Sequence, residues 1–155
     1  MPGMRPTTTP LGLRLFRTSK AVRRAFDSAL AEAGGSIPTW LVLTNLKAAA
    51  WRTQHDLAGA VGIEGPTLTR HLDGLEQRGL VQRRQDPANR RAVLVELTGE
   101  GHAAHARLLE VVIAFDRRLR RGLSADEVAE LGALLDRLAA NVAEQQTRPP
   151  TRQTG

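Results

Sequence analysis

Residues 83–91 read RRQDPANRR: four arginines, Arg83, Arg84, Arg90 and Arg91, against one acid, Asp86, so these nine residues carry +3. A guanidinium stays charged at any physiological pH and presents a planar fork of donors. That fork matches phosphate oxygens, or the O6 and N7 edge of guanine, two bonds at a time. Upstream, Arg70 stands in the run GPTLTRHL with Pro66, Thr67, Thr69 and His71. Short hydroxyl side chains beside such an arginine suit phosphate oxygens or a thymine methyl group. Asn89, between the two arginine pairs, adds an amide at the tip. The chemistry on offer is recognition of a polyanion.

Bond-breaking chemistry finds little support. His55 and Asp56 are adjacent, but no nucleophile, glycine-rich phosphate loop or second acid is arranged with them. His102 and His105 lie three apart on a predicted helix, with Glu100 the nearby acid, and solvated histidines are the plainer reading of that pair than a metal site. The chain has no cysteine, which excludes disulfides, cysteine-based redox sensing and zinc-finger spacing. Neither catalysis nor a cofactor is expected. The net charge of +6, nearly all of it from arginine, favours an anionic partner but also serves solubility. No apolar run reaches the roughly 20 residues of a membrane span, and no signal peptide opens the sequence, so a cytoplasmic location is expected.

The two arginine clusters need elements to hold them. Leu57, Ala58 and Val61 fall at helical spacing in 54–61, and Gly62 ends that segment. A second helix has Pro66 in its first turn, Leu68, Leu72 and Leu75 on its buried face, and Gly79 beyond its end. Two short helices joined by a glycine turn read as a helix-turn-helix. A strand over 80–85, the turn Asp86-Pro87-Ala88-Asn89, and Val93, Val95 and Leu97 alternating at period two complete a hairpin. This order is a winged helix. In it Thr67, Thr69, Arg70, His71 and Asp73 are left to the outer face of the second helix, His71 being equally well a half-buried histidine. Arg83 and Arg84 alternate faces, so one of them is expected to reach phosphate.

Around this core, 11–33 is a long amphipathic helix with Leu11, Leu15, Val22, Phe26 and Leu30 on one side. Arg14, Arg17, Lys20, Arg23 and Arg24 are its polar complement. Ser36 caps the next helix, which carries Trp40, Leu41, Leu43 and Leu46 to about Ala50, and Thr53 with Asp56 forms a capping pair. After the wing, Thr98 opens a helix to about Arg121 with Leu108, Val111, Val112, Phe115 and Leu119 as its stripe. Ser124 and Glu127 form a capping box for the last one. Val128, Leu131, Leu134, Leu135, Leu138 and Val142 repeat there at three and four. These long helices carry more apolar surface than a small winged domain covers, which points to a homodimer. The expected fold is mainly α with a small β-hairpin, a winged helix-turn-helix with long N- and C-terminal dimerisation helices. Residues 36–97 form the DNA-binding region, 11–35 and 98–144 the dimerisation region, and 1–10 and 145–155 disordered tails.

The run LAGAVGIEGPTLTRHLDGLEQRGLVQRR, followed by NRRAVLVELT, resembles the MarR family of bacterial winged-helix regulators, most of all its SlyA branch. The resemblance covers nearly the whole chain except the tails. It implies that Arg70 contacts DNA in the major groove and that Arg91 is the wing arginine entering the minor groove. The family's wing usually reads Asp-Arg-Arg where this chain has Asn89-Arg90-Arg91, leaving Asp86 as the acid that could pair with a wing arginine. It also implies a crevice for an aromatic carboxylate or phenolic ligand, which by position Arg17, Trp40, Thr44 and Ile63 would line. Thr44 stands where a histidine is usual in the branch. Against that crevice stands the reading of Trp40 and Ile63 as core and Arg17 as a solvated charge. The implied function is a dimeric regulator on a pseudo-palindromic operator. The alternatives are a low-specificity architectural or counter-silencing DNA binder and a protein-interaction winged domain that binds no DNA.

Overall fold

A computed structural model describes residues 9–49 and 53–146. The chain falls into two compact units, Met1–Phe115 and Asp116–Gly155. The element order is α1 (Leu11–Glu32), α2 (Ile37–Ala48), α3 (Gln54–Val61), α4 (Gly65–Gln77), β1 (Val81–Asp86), β2 (Asn89–Leu97), α5 (Gly99–Leu119) and α6 (Ala125–Gln146). Among the described residues no helix is long and apolar enough to cross a membrane.

In the first unit the helices begin and end where short polar side chains and glycines dictate. Ser36 Oγ accepts from Thr39 N at the start of α2, and Thr53 Oγ1 accepts from Asp56 N at the start of α3. Each bond satisfies one of the amides a helix leaves unpaired at its first turn. Gly62 (φ 73) takes the left-handed conformation that stops α3 and turns the chain into α4. At the far end of α4, Gly79 N donates to Glu76 O and Leu80 N to Leu75 O, a Schellman closure that throws the chain into the hairpin.

Five helices and the hairpin share one core. Leu30 of α1, Val42, Leu43 and Leu46 of α2, Leu57 and Val61 of α3, and Leu68, Leu72 and Leu75 of α4 are buried together. Val81, Val95 and the α5 residues Ala104 and Leu108 close it. The helix α2 is apolar nearly all round and lies against α1, α3, α4 and β2, as a central helix must. The first turn of α5 is pressed onto the hairpin base. Thr98 Oγ1 donates to Gly79 O and accepts from Gly101 N, and Thr98 N donates to Leu80 O. A Cβ on Gly101 would stand 1.9 Å from Leu80 O, so only glycine fits that approach.

Several boundaries and one strand face differ from expectation. The first helix stops one residue early, at Glu32, and α5 two residues early, at Leu119. Gly122 (φ 84) follows after one further turn. The α2 helix ends at Ala48, and Ala50 lies outside the described residues, as do 1–8 and 147–155 of the expected tails. The α6 helix runs to Gln146, two residues into the segment expected as a tail. On β2 the buried residues are Ala92 and Val95, while Val93 is 38% exposed. Asp86 pairs with Asn89 but its neighbour Gln85 pairs with Val93, so Arg90, Arg91 and Ala92 bulge out of the ladder. A bulge changes which side chains face inward, and period-two counting does not see it.

In the second unit, α6 opens with the reciprocal capping box: Ser124 N donates to Glu127 Oε2 and Glu127 N to Ser124 Oγ. Four of its apolar side chains, Leu131, Leu134, Leu135 and Val142, are exposed, and Leu138 is half-buried. In the first unit, residues 11–21 of α1 are exposed throughout, Phe16 by 62%.

Candidate nucleic-acid interface

The outer face of α4 offers what the helical spacing predicts. Leu68, Leu72 and Leu75 are buried, and Pro66, Thr67 and Arg70 are exposed around them. Thr69 and His71 are half-buried. Glu64 caps α4 without a side-chain hydrogen bond, so its carboxylate takes up none of the first-turn amides beside Pro66. Thr69 is committed locally: its Oγ1 donates to Gly65 O (3.1 Å) and accepts from Gln54 Nε2 (3.0 Å).

The strand arginines behave differently from what their charge suggested. The Arg83 side chain is only 22% exposed and is turned against α4. Its Nε and Nη2 donate to Glu76 Oε2 (3.0 and 2.7 Å), Nη2 also to Asp73 Oδ1, and Nη1 to Gln54 Oε1 (3.3 Å). These bonds, Glu76's first, raise the Arg83 pKa further, and Arg83 in turn holds the Glu76 carboxyl below its ordinary range. Arg84 reaches the other way, across the hairpin, to Glu96: Nη2 to Oε1 at 2.6 Å and Nε to Oε2 at 3.1 Å. That fork likewise lowers the Glu96 pKa and raises that of Arg84. The expectation that one of this pair is free for phosphate therefore meets two arginines each already paired with carboxylates. Asp73 was expected on the outer face beside Arg70 and not as a partner of Arg83, and Glu76, Glu96 and Gln54 were not singled out in the sequence. The signal for two of them was there, in acids three apart on the helix that precedes an inward-facing strand arginine.

At the wing tip the polar side chains serve the turn. Asp86 Oδ1 accepts from Ala88 N (2.9 Å); among the described residues Asp86 forms no ion pair with a wing arginine, though its charge acts on Arg84. Asn89 Oδ1 accepts from Arg91 N (3.1 Å) and Gln85 Nε2 donates to Arg90 O (2.8 Å). Asn89 is thus engaged with its own backbone, an Asx turn that shapes the bulge. Arg90 and Arg91 are exposed, and neither forms an ion pair among the described residues. Arg70 is likewise exposed without an ion pair among the described residues, as is Arg78 at the far end of α4, whose Nη2 donates to Gly34 O (2.8 Å).

The four crevice residues are only partly brought together. Trp40 and Thr44 are one turn apart on α2, and Ile63, just after α3, packs against the core. Trp40 stacks on His105 of α5 (ring centroids 5.2 Å apart, 18° between planes). Thr44 Oγ1 is buried and has no hydrogen-bond partner among the described residues. Arg17 is exposed on α1. His102 and His105 do not converge on a common ligand: His102 Nδ1 lies 3.3 Å from Lys47 Nζ, and burial, then Lys47 and His102, push the His105 pKa down. Among the described residues no group of three metal-ligating side chains exists.

Comparison with known proteins agrees with this geometry. Residues 36–93 match the MarR family. A solved structure of the transcriptional repressor CouR bound to a 23-mer DNA duplex is 32% identical, covering 84% of this chain and 92% of that one, with a TM-score of 0.77. A mutant MarR from E. coli complexed with operator DNA is 30% identical over 83% of this chain and 93% of its own, with a TM-score of 0.74. Wild-type MarR from E. coli in its apo form is also 30% identical, covering 84% and 97%, with a TM-score of 0.70. Family match, shared identity over almost the whole length of these relatives, and a helix-turn-helix with its wing lead to one conclusion: the chain belongs to the MarR family, whose members are transcriptional regulators and not enzymes.

Proposed function

We propose that this chain acts in the cytoplasm as a homodimer, in the manner of the SlyA branch, binding a pseudo-palindromic DNA operator. Each subunit lays α4 in a major groove, with half-sites about 10 base pairs apart, and its wing tip in the flanking minor groove. The observation that carries this is the sorting of the arginines. Those on the hairpin base are neutralised by carboxylates, while Arg70, Arg90 and Arg91 are exposed without an acid partner. The DNA held by CouR and by the mutant MarR in their complexes supports the same reading. The dimer rests on the open apolar faces of α1, α5 and α6, among them Phe16, Ile113, Leu131 and Leu135.

The test compares Arg70→Ala and Arg91→Ala on an operator duplex and on random duplex over a salt series. Loss of a bidentate arginine–guanine pair costs about 1–3 kcal/mol of discrimination, so Arg70→Ala shrinks the ratio between the two duplexes. Arg91→Ala weakens both, and the salt slope falls by about 1 for each phosphate that a subunit no longer neutralises. Equal losses on both duplexes for Arg70→Ala would favour the low-specificity, architectural alternative. For the dimer, light scattering of a Leu131→Glu/Leu135→Glu variant of the full chain is expected to give monomers; a wild-type monomer defeats the idea.

A second reading concerns release by a small aromatic carboxylate or phenol. It is favoured by Thr44 Oγ1, since a buried hydroxyl without a partner costs about 1–3 kcal/mol that a ligand's polar group would offset. Titration of the DNA complex with salicylate tests it, and no release from wild-type protein at millimolar levels defeats it.

A further inference from the structure

We propose that Arg83 is a positioning residue that locks the wing to α4 so that Arg91 can reach DNA, and that Arg83 itself touches no DNA. This rests on the DNA-binding reading above. The guanidinium joins three elements. It extends from β1, donates to Asp73 and Glu76 of α4, and donates to Gln54 of α3. Its own backbone amide donates to Glu76 Oε1 (3.1 Å), so one carboxylate grips both the strand and the side chain. The series of hydrogen bonds continues through Gln54 Nε2 to Thr69 Oγ1 and on to Gly65 O, at the start of the helix that carries Arg70.

The position of this clamp matters because of what lies beyond it. A two-stranded hairpin is marginally stable alone and takes its orientation from what it packs on. On β1 the last buried apolar side chain is Val81, and Arg84 and Gln85 are exposed. Arg83 is therefore the outermost residue of β1 with side-chain bonds to the helical body, and the tip arginines project past it. Four of the five Arg83 N–H donors are already engaged and its side chain is 22% exposed, so a forked phosphate contact would have to displace at least one of these partners. Charge-assisted, forked hydrogen bonds of this kind are the stronger class.

A double-mutant cycle on the full chain separates positioning from direct binding, using as probe the tightest-binding duplex selected from a random-sequence pool. If Arg91→Ala weakens wild-type binding by about tenfold, the same change in an Arg83→Met background should weaken it by less than about twofold, because a DNA-touching residue and the residue that positions it act as one unit. A second variant, Asp73→Asn/Glu76→Gln, keeps Arg83 and removes two negative charges beside the DNA-facing helix. Simple electrostatics has it bind more tightly, whereas positioning has it bind more weakly and lose sensitivity to Arg91→Ala. Additive losses in the first cycle, or tighter binding by the second variant, would overturn the proposal while leaving DNA binding intact. If wild-type protein selects no duplex at all, the DNA-binding reading falls and the proposal with it.

Discussion

The tight approach of α5 to the hairpin base sets the sharpest stability prediction, Gly101→Ala. The added methyl carbon would lie 1.9 Å from Leu80 O and 3.3 Å from Leu97 Cδ2, and the first of these neighbours is backbone. Real carbon–oxygen distances lie near 3.3 Å or beyond, so α5 and the hairpin base must part by more than about an ångström. Three hydrogen bonds cross or close that junction: Thr98 N to Leu80 O at 3.1 Å, Thr98 Oγ1 to Gly79 O, and Gly101 N to Thr98 Oγ1 at 3.0 Å. At about 0.5–1.5 kcal/mol net each, losing all three costs about 1.5–4.5 kcal/mol, a large part of the roughly 5–15 kcal/mol that holds a typical domain. Urea denaturation followed by circular dichroism measures this, with Gly99→Ala as control, since nothing lies within 4 Å of a Cβ there. The midpoint should fall steeply for Gly101→Ala and hardly move for the control. A Gly101→Ala midpoint indistinguishable from wild type would refute the reasoning.

Two further perturbations follow from the same structure. Gly74 lies inside α4 with a negative φ and no atom within 4 Å of a Cβ, so Gly74→Ala should stabilise by about 0.5–1 kcal/mol, read as a rise in the urea midpoint. A fall would mean that α4 needs flexibility at that turn. His105 has its pKa pushed below the ordinary 6.5 by burial against Trp40, with Lys47 and His102 adding repulsion. The unfolded chain then binds the proton more readily, so the stability this site contributes is complete above pH 6.5 and is lost as pH falls through the folded pKa. His105→Phe, which keeps a ring against Trp40, should flatten the decline in midpoint on acidification; an unchanged slope would exclude His105 as its source.

What the sequence made legible is what depends on neighbours along the chain. Thr53, Gly62, Gly79 and the Ser124–Glu127 pair fix helix ends through bonds spanning a few residues, Pro66 through its fixed φ and missing N–H, and all lie at or beside observed helix ends. The buried leucines of α4 followed from helical spacing for the same reason. Strand faces were less legible, because the bulge at Arg90–Ala92 depends on the partner strand's register.

The site residues divide along the same line. Arg70 lies on the exposed face that its place in the helix assigns, with no tertiary interaction needed to put it there. Charge counting along 83–91 gave +3, but the count stopped at the segment's ends and could not include Asp73, Glu76 and Glu96, which the fold brings onto Arg83 and Arg84. A carboxylate several residues away in sequence compensates an arginine's charge as effectively as an adjacent one. The unspent charge at the reading head is therefore carried by the residues that no acid reaches in space. For the wing these are Arg90 and Arg91, at a tip whose Asp86 and Asn89 are occupied with their own turn. The basic face of a winged helix is thus fixed less by how many arginines it contains than by which of them the helices leave unclaimed.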